Sequence, residues 1–137
     1  MRDIGGRDDI TTLVETFYQR AFADPLLGPI FVDIARMDLA AHLPTMVDFW
    51  ETVLLHAKSY RGNTLQVHVA LHERAPLGGD HFLRWRQLWH ATLDDLFTGP
   101  VAELAKTQST RMAWSLQRRL GGGTGSEFAT IGVRAKA

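Results

Sequence analysis

Four polar rings are set among apolar neighbours in this chain: Tyr18, His42, His68 and Trp85. His42 begins a stripe with Met46, Phe49 and Val53, at offsets of four, seven and eleven residues. A helix places those offsets on one face. An imidazole on such a face meets the core or a ligand, and in either setting its ring nitrogens need partners. His68 and His72 lie four apart in a second segment. His68 stands among Leu65, Val67, Val69 and Leu71, whereas His72 runs into Glu73-Arg74 and belongs nearer solvent. His68 therefore reads in two ways. It is a core histidine with a backbone or carboxylate partner, or an axial ligand to iron, which neutral imidazole binds while leaving the opposite position open. Tyr18 and Trp85 read either as core rings or as rings that bring an O–H and an N–H into a pocket. The chemistry these residues suit is a site around something large, flat and apolar with a reactive centre.

Other chemistries find less support. The absence of cysteine removes disulfides, zinc–thiolate sites, iron–sulfur clusters and thiol nucleophiles. A zinc site on His68 and His72 lacks a third ligand on the same face, because Glu73 cannot share it, and no HExxH occurs. His81 and His90, nine apart, read as satisfied or exposed histidines. No serine arrangement, phosphate-cradling loop or carboxylate pair is visible. Zero formal net charge and a pI near 7.0 give no electrostatic case for nucleic acid or an anionic membrane. Met1 leads straight into Arg2-Asp3-Ile4-Gly5-Gly6, and no run approaches 18 apolar residues. The expectation is a soluble, cytoplasmic protein.

The elements that must position these rings are helical. At 137 residues, 45% of them hydrophobic, the chain suits one domain with a real core. Residues 1–7 read as a loose, flexible lead, and Asp8 or Asp9 as the cap of a helix over 10–23 carrying Leu13, Val14, Phe17 and Ala21. Asp24-Pro25 ends that helix. Residues 26–31 form an apolar corner, with a helical turn opening at Pro29. A long helix follows over 38–56, capped by Asp38. Pro44 conflicts with it, so the helix starts nearer residue 43 or is kinked in its first turn. A turn at 60–63, a short helix over 64–73 and a break at 75–79 lead to a helix over 81–97 capped by Asp80. Gly99-Pro100 separates it from the last helix, 100–120. Residues 121–137 read as a flexible glycine-rich tail. The class is all-α, with Phe31, Met46, Phe49, Trp50, Phe82 and Trp89 supplying an unusually aromatic interior.

In order and spacing, several of these pieces resemble one known pattern. They are Phe17-Tyr18, then Leu27-Gly28-Pro29-Ile30-Phe31, His42 followed eight residues later by Trp50, and Tyr60-Arg61-Gly62 followed by His68. His81-Phe82-Leu83-Arg84-Trp85 and Asp95-Leu96-Phe97-Thr98-Gly99 extend the match over residues 8–120. The pattern resembles the group III truncated haemoglobins. That resemblance implies an abbreviated globin fold, a two-over-two helical sandwich around haem b (iron protoporphyrin IX). It implies His68 as the metal ligand, with Tyr18, His42 and Trp85 as the catalytic groups on the opposite side. There Tyr18 and Trp85 donate hydrogen bonds to a ligand at the iron, and His42 swings as a gate. Phe31, His42, Met46, Phe49, Trp50 and Trp89 are then the residues around the cofactor. The implied function is binding of oxygen or another diatomic ligand, with nitric oxide dioxygenase or peroxidase chemistry that draws electrons from a separate reductase. The implied state is a monomer or weak dimer. Two readings of other classes stand beside it: a cofactor-free helical interaction module, and a metal-dependent hydrolase built from histidine and carboxylate.

Overall fold

A computed structural model describes residues 1–56 and 77–120, excepting the side chains of Asp33 and Ile34. The described residues form four α-helices: α1 (Arg7–Ala23), α2 (Leu39–Leu55), α3 (Gly79–Leu96) and α4 (Pro100–Leu120). Among them α1 packs on α2 and α3, and α4 packs on α3 and α2. Two helix pairs thus enclose one core, and the architecture is all-α. The expected turn at 60–63, the short helix over 64–73, His68, His72 and the tail 121–137 lie outside the described residues.

Each helix begins for a local reason. The N-cap of α1 is Gly6 rather than either aspartate. Asp9, in the first turn, reaches back and accepts from the Gly5 N–H at 2.7 Å, a variant of the reciprocal capping arrangement. Asp38 caps α2, its carboxylate accepting from Ala41 N–H at 3.4 Å. The helix then runs on through Pro44 to Leu55, so the start near residue 43 is not adopted. It ends on His56 at φ 58°, a left-handed C-cap that glycine or asparagine usually supplies. Asp80 is not the cap of α3; that position belongs to Gly78, whose N–H donates to His81 Nδ1 at 3.0 Å.

Between α1 and α2 the apolar corner winds into one turn of π-helix over Ile30–Ile34, closed by Ala35 N–H donating to the Ile30 carbonyl at 2.7 Å. Gly28 makes this corner possible. A Cβ there would lie 2.5 Å from the Phe22 carbonyl oxygen, so only glycine lets the chain pass so close to the end of α1.

The core draws on every helix. Ile10, Leu13, Val14 and Phe17 of α1 meet Val47, Phe49, Trp50 and Leu54 of α2, Trp89 and Leu93 of α3, and Ala102 and Ala105 of α4. The alanines matter because they admit a tryptophan from the neighbouring helix. The Trp89 indole N–H lies against α4 and donates to the Ala105 carbonyl at 3.4 Å.

The lead is more tightly held than its composition suggests. Ile4 is buried in the core, and Thr98 N–H donates to the Arg2 carbonyl. The Asp3 carboxylate accepts from Val101 and Ala102 N–H at 2.9 Å each. Those are orphan donors of the first turn of α4, so Asp3 caps a helix 98 positions away in sequence. Gly99, at φ 141°, permits the approach. Asp3→Ala should cost about 1 kcal/mol, the usual worth of an N-cap, read as a lowered urea midpoint with an unchanged slope.

Candidate functional site

The geometry begins at Phe17, whose ring is fully buried. Three aromatic neighbours meet it at steep interplanar angles: Tyr18 at 4.9 Å, Trp89 at 5.1 Å and Trp85 at 5.9 Å between ring centroids. Such edge-to-face contacts satisfy the ring quadrupoles. Tyr18 also meets Phe31 at 5.6 Å and Phe22 at 6.2 Å. The π-turn thereby seats Phe31 beside the α1 tyrosine, while the i, i+4 spacing of Trp85 and Trp89 lays both indoles toward α1.

Burial separates the sequence-predicted residues into groups. Phe49, Trp50 and Trp89 are members of the core, and Trp89 is 1% exposed with its N–H engaged by Ala105. Tyr18, Phe31, Met46 and Trp85 are partly buried and pack against that core from its edge. His42 stands apart, exposed on the first turns of α2, where the apolar stripe runs out beyond the core. Phe82 belongs to a second small cluster with Ala113 and Leu116. The structure therefore brings Tyr18 and Trp85 onto Phe17, sets Phe31 against Tyr18, and leaves His42 exposed on α2.

The polar tips at this edge are distinctive. Among the described residues, neither the Tyr18 hydroxyl nor the Trp85 indole N–H has a hydrogen-bond partner. Burial pushes the Tyr18 phenol well above its usual range, so it stays protonated and able to donate. Among the described residues this edge thus combines apolar ring surface with two donors, the residue types that a flat apolar group carrying a polar ligand would need. Among the described residues, no three histidines or carboxylates assemble into a metal site. His81 accepts from Gly78 N–H, and His90 Nε2 lies 3.3–3.4 Å from the Thr110 and Ser109 hydroxyls. Both are satisfied structural residues, as their isolation in sequence predicts.

Sequence reasoning missed the groups that hold this edge together. Arg84 Nε donates to Asp24 at 2.7 Å, and Arg20 pairs with Asp95 at 2.9 Å while reaching the Thr92 hydroxyl at 3.3 Å. Along α3 these contacts fall on either side of Trp85 and Trp89, so they fix that face of α3 against α1. Asp24 also accepts from Leu26 and Leu27 N–H at 3.1 and 3.0 Å. That half was accessible: an aspartate ending a helix commonly bonds the next amides. The pairing with Arg84, sixty residues away, carries no sequence signal.

No family profile matches the chain. The group 3 truncated haemoglobin ctb of Campylobacter jejuni is 25% identical over 117 residues, spanning 83% of this chain and 90% of that protein. The crystal structure of the group III truncated haemoglobin from Campylobacter jejuni superposes with a TM-score of 0.77 at 25% identity. It covers 90% of this chain and the whole of that one.

Asp24 yields a test of the strut. Burial alone would raise its carboxyl, but the Leu27 amide, Arg84 and the Leu26 amide outweigh that and hold it below the usual carboxylate range. A carboxyl depressed in the folded state stabilises the fold above its unfolded pKa, about 3.9, and that contribution fades as pH falls through the lower folded value. Asp24→Asn should therefore cost about 2 kcal/mol at pH 7 and distinctly less at pH 3. Thermal denaturation at the two pH values measures the difference.

Proposed function

We propose that this chain is a group III truncated haemoglobin, a reading supported by its similarity to the Campylobacter jejuni protein, and that it binds haem b through His68 and presents Tyr18 and Trp85 to oxygen or another small diatomic ligand. The observation that carries this reading is a pair of donors on one aromatic edge, both anchored on Phe17 and neither with a partner among the described residues. The Trp89 N–H, deep in the core, is by contrast engaged by the Ala105 carbonyl.

Haem, when bound, would supply iron-based ligand binding and one-electron chemistry. The chain's own groups would do the rest. The His68 imidazole would hold the iron. Phe31 and Met46 offer apolar surface to the macrocycle, backed by Phe49, Trp50 and Trp89. The Tyr18 O–H and Trp85 N–H donate to a ligand that carries partial negative charge, and such charge-assisted bonds are worth roughly 1.5–3 kcal/mol each. His42, at the rim of α2, is suited to gating entry rather than to fixed donation. Two strong donors slow ligand escape, which suits nitric oxide dioxygenase or peroxidase chemistry better than oxygen delivery. Turnover of either kind needs an external reductant: a separate reductase for the dioxygenase reaction, or a small reducing substrate for the peroxidase one.

The ferric, ferrous and carbonyl absorption spectra are the first test. Purified protein should take up hemin and show a Soret band; colourless protein that refuses hemin would overturn the proposal. His68→Gly should lose haem or recover ligation on adding imidazole, whereas His72→Gly should leave the spectrum nearly intact.

The donors are tested by stopped-flow oxygen release. Tyr18→Phe should accelerate it about tenfold, equivalent to roughly 1.4 kcal/mol of lost ground-state stabilisation. Trp85→Phe should act in the same direction. Unchanged rates in both would remove the polar pocket from the proposal while leaving haem binding intact.

A further inference from the structure

Three of the four tryptophans form one continuous stack. Trp85 and Trp89 lie parallel, with centroids 6.0 Å apart and planes within 4°. Trp50, from α2, also stacks on Trp89, at 4.5 Å and 25°. Elsewhere around Phe17 the aromatic contacts are edge-on, so face-to-face order is confined to the indoles. The stack begins at the half-buried Trp85, on the edge with the two free donors, and ends at Trp50, 5% exposed. The fourth tryptophan, Trp114, is 53% exposed on α4, with the Arg118 guanidinium 4.5 Å over its ring. It takes no part in the stack.

We propose that Trp85, Trp89 and Trp50 conduct an oxidising equivalent from the ligand edge of the site into the core as a chain of electron transfers. Its natural source rests on the haem reading: haem treated with hydrogen peroxide as the oxidant beside Trp85. Trp85 gives one electron to that oxidant and becomes an indole radical cation. Trp89 passes one electron to Trp85, and Trp50 passes one to Trp89. A small one-electron reductant of the ascorbate class then returns an electron to the stack. No covalent bond forms or breaks, and each electron gained is matched by one lost.

Two features favour indoles over Tyr18 as carriers. Oxidation of a phenol requires loss of its proton, and the partly buried Tyr18 hydroxyl has no side-chain or backbone acceptor among the described residues, while burial of its ring environment raises the phenol's pKa and holds the proton. An indole can carry the charge with its N–H in place, and Trp89 keeps that N–H on the Ala105 carbonyl, which is not a base. Close, near-parallel indoles at 6.0 and 4.5 Å supply the electronic coupling, while Phe17, edge-on and hard to oxidise, borders the path without joining it.

The test has one arm with haem and one without, both in a Trp114→Phe background. In the first, haem-loaded protein receives one equivalent of peroxide and is frozen for paramagnetic resonance, with ring-deuterated tryptophan identifying the radical. In the second, haem-free protein is oxidised by flash-generated tris(bipyridine)ruthenium(III). Oxidised side chains are mapped by mass spectrometry in both arms. The expected result is an indole radical in the first arm, and oxidation of the buried Trp50 in both that falls at least tenfold in Trp89→Phe while Trp85 oxidation persists. If Trp89→Phe fails to fold, Trp50→Phe should shift the oxidation onto Trp89 and Trp85. Trp50 oxidation indifferent to Trp89, or a radical resident on Tyr18, would overturn the proposal. A silent peroxide arm with the expected pattern under ruthenium would sink the haem reading and leave the conducting stack standing.

Discussion

The contact of Phe17 with α3 organises this molecule. One side chain, closed to solvent, receives the edges or faces of Tyr18, Trp85 and Trp89 and sets the distance at which α1 crosses α3. Replacing so large a buried ring by a small one typically costs several kcal/mol through lost transfer energy and the cavity left behind. Here the loss would extend to Tyr18 and Trp85, because both rings pack on the same side chain. Stability and the geometry of that aromatic edge are coupled through a single residue. The salt bridges of Arg84 with Asp24 and Arg20 with Asp95 serve that contact by fixing its angle. Both arginines are more than a third exposed, so their value lies more in register than in net stabilisation.

Much of this was legible from residue order. The helices could be read because their apolar positions recur every three or four residues and their ends carry Asp-Pro and Gly-Pro breaks. The pairing of Tyr18 with Trp85 followed from family resemblance, not from periodicity, since nothing local relates positions 67 residues apart. Boundaries moved where backbone chemistry overrode side-chain preference. Gly6 and Gly78 took the caps expected of Asp8 or Asp9 and of Asp80, as extended glycines that let a later side chain fold back onto the amides.

Two features were illegible for a physical reason. Asp3 sits in a short polar stretch that reads as loose, because its partners, the first amides of α4, are distant in sequence and carry no compositional mark. Trp50 and Trp89 stand around a cofactor only by family resemblance, because an aromatic residue at helical spacing looks the same whether it lines a cavity or fills a core. The structure adds that both rings are buried and that the Trp89 N–H is engaged by the Ala105 carbonyl.

Pro44 gives α2 an uneven stiffness. It removes the amide that would bond the Ala40 carbonyl, so the turn carrying His42 is joined to the rest of the helix by one backbone hydrogen bond fewer than an uninterrupted helix would have. Downstream, Val47, Phe49, Trp50 and Leu54 clamp the helix into the core. Upstream, the chain is tethered by the long Asp38 cap at 3.4 Å and by His42 N–H on the Asp38 carbonyl at 3.0 Å. The helix is therefore a rigid beam with a compliant tip, and the exposed imidazole rides on the tip. The position of that imidazole therefore depends on the backbone of residues 40–44, and substitutions there would shift it without touching any side chain of the aromatic edge.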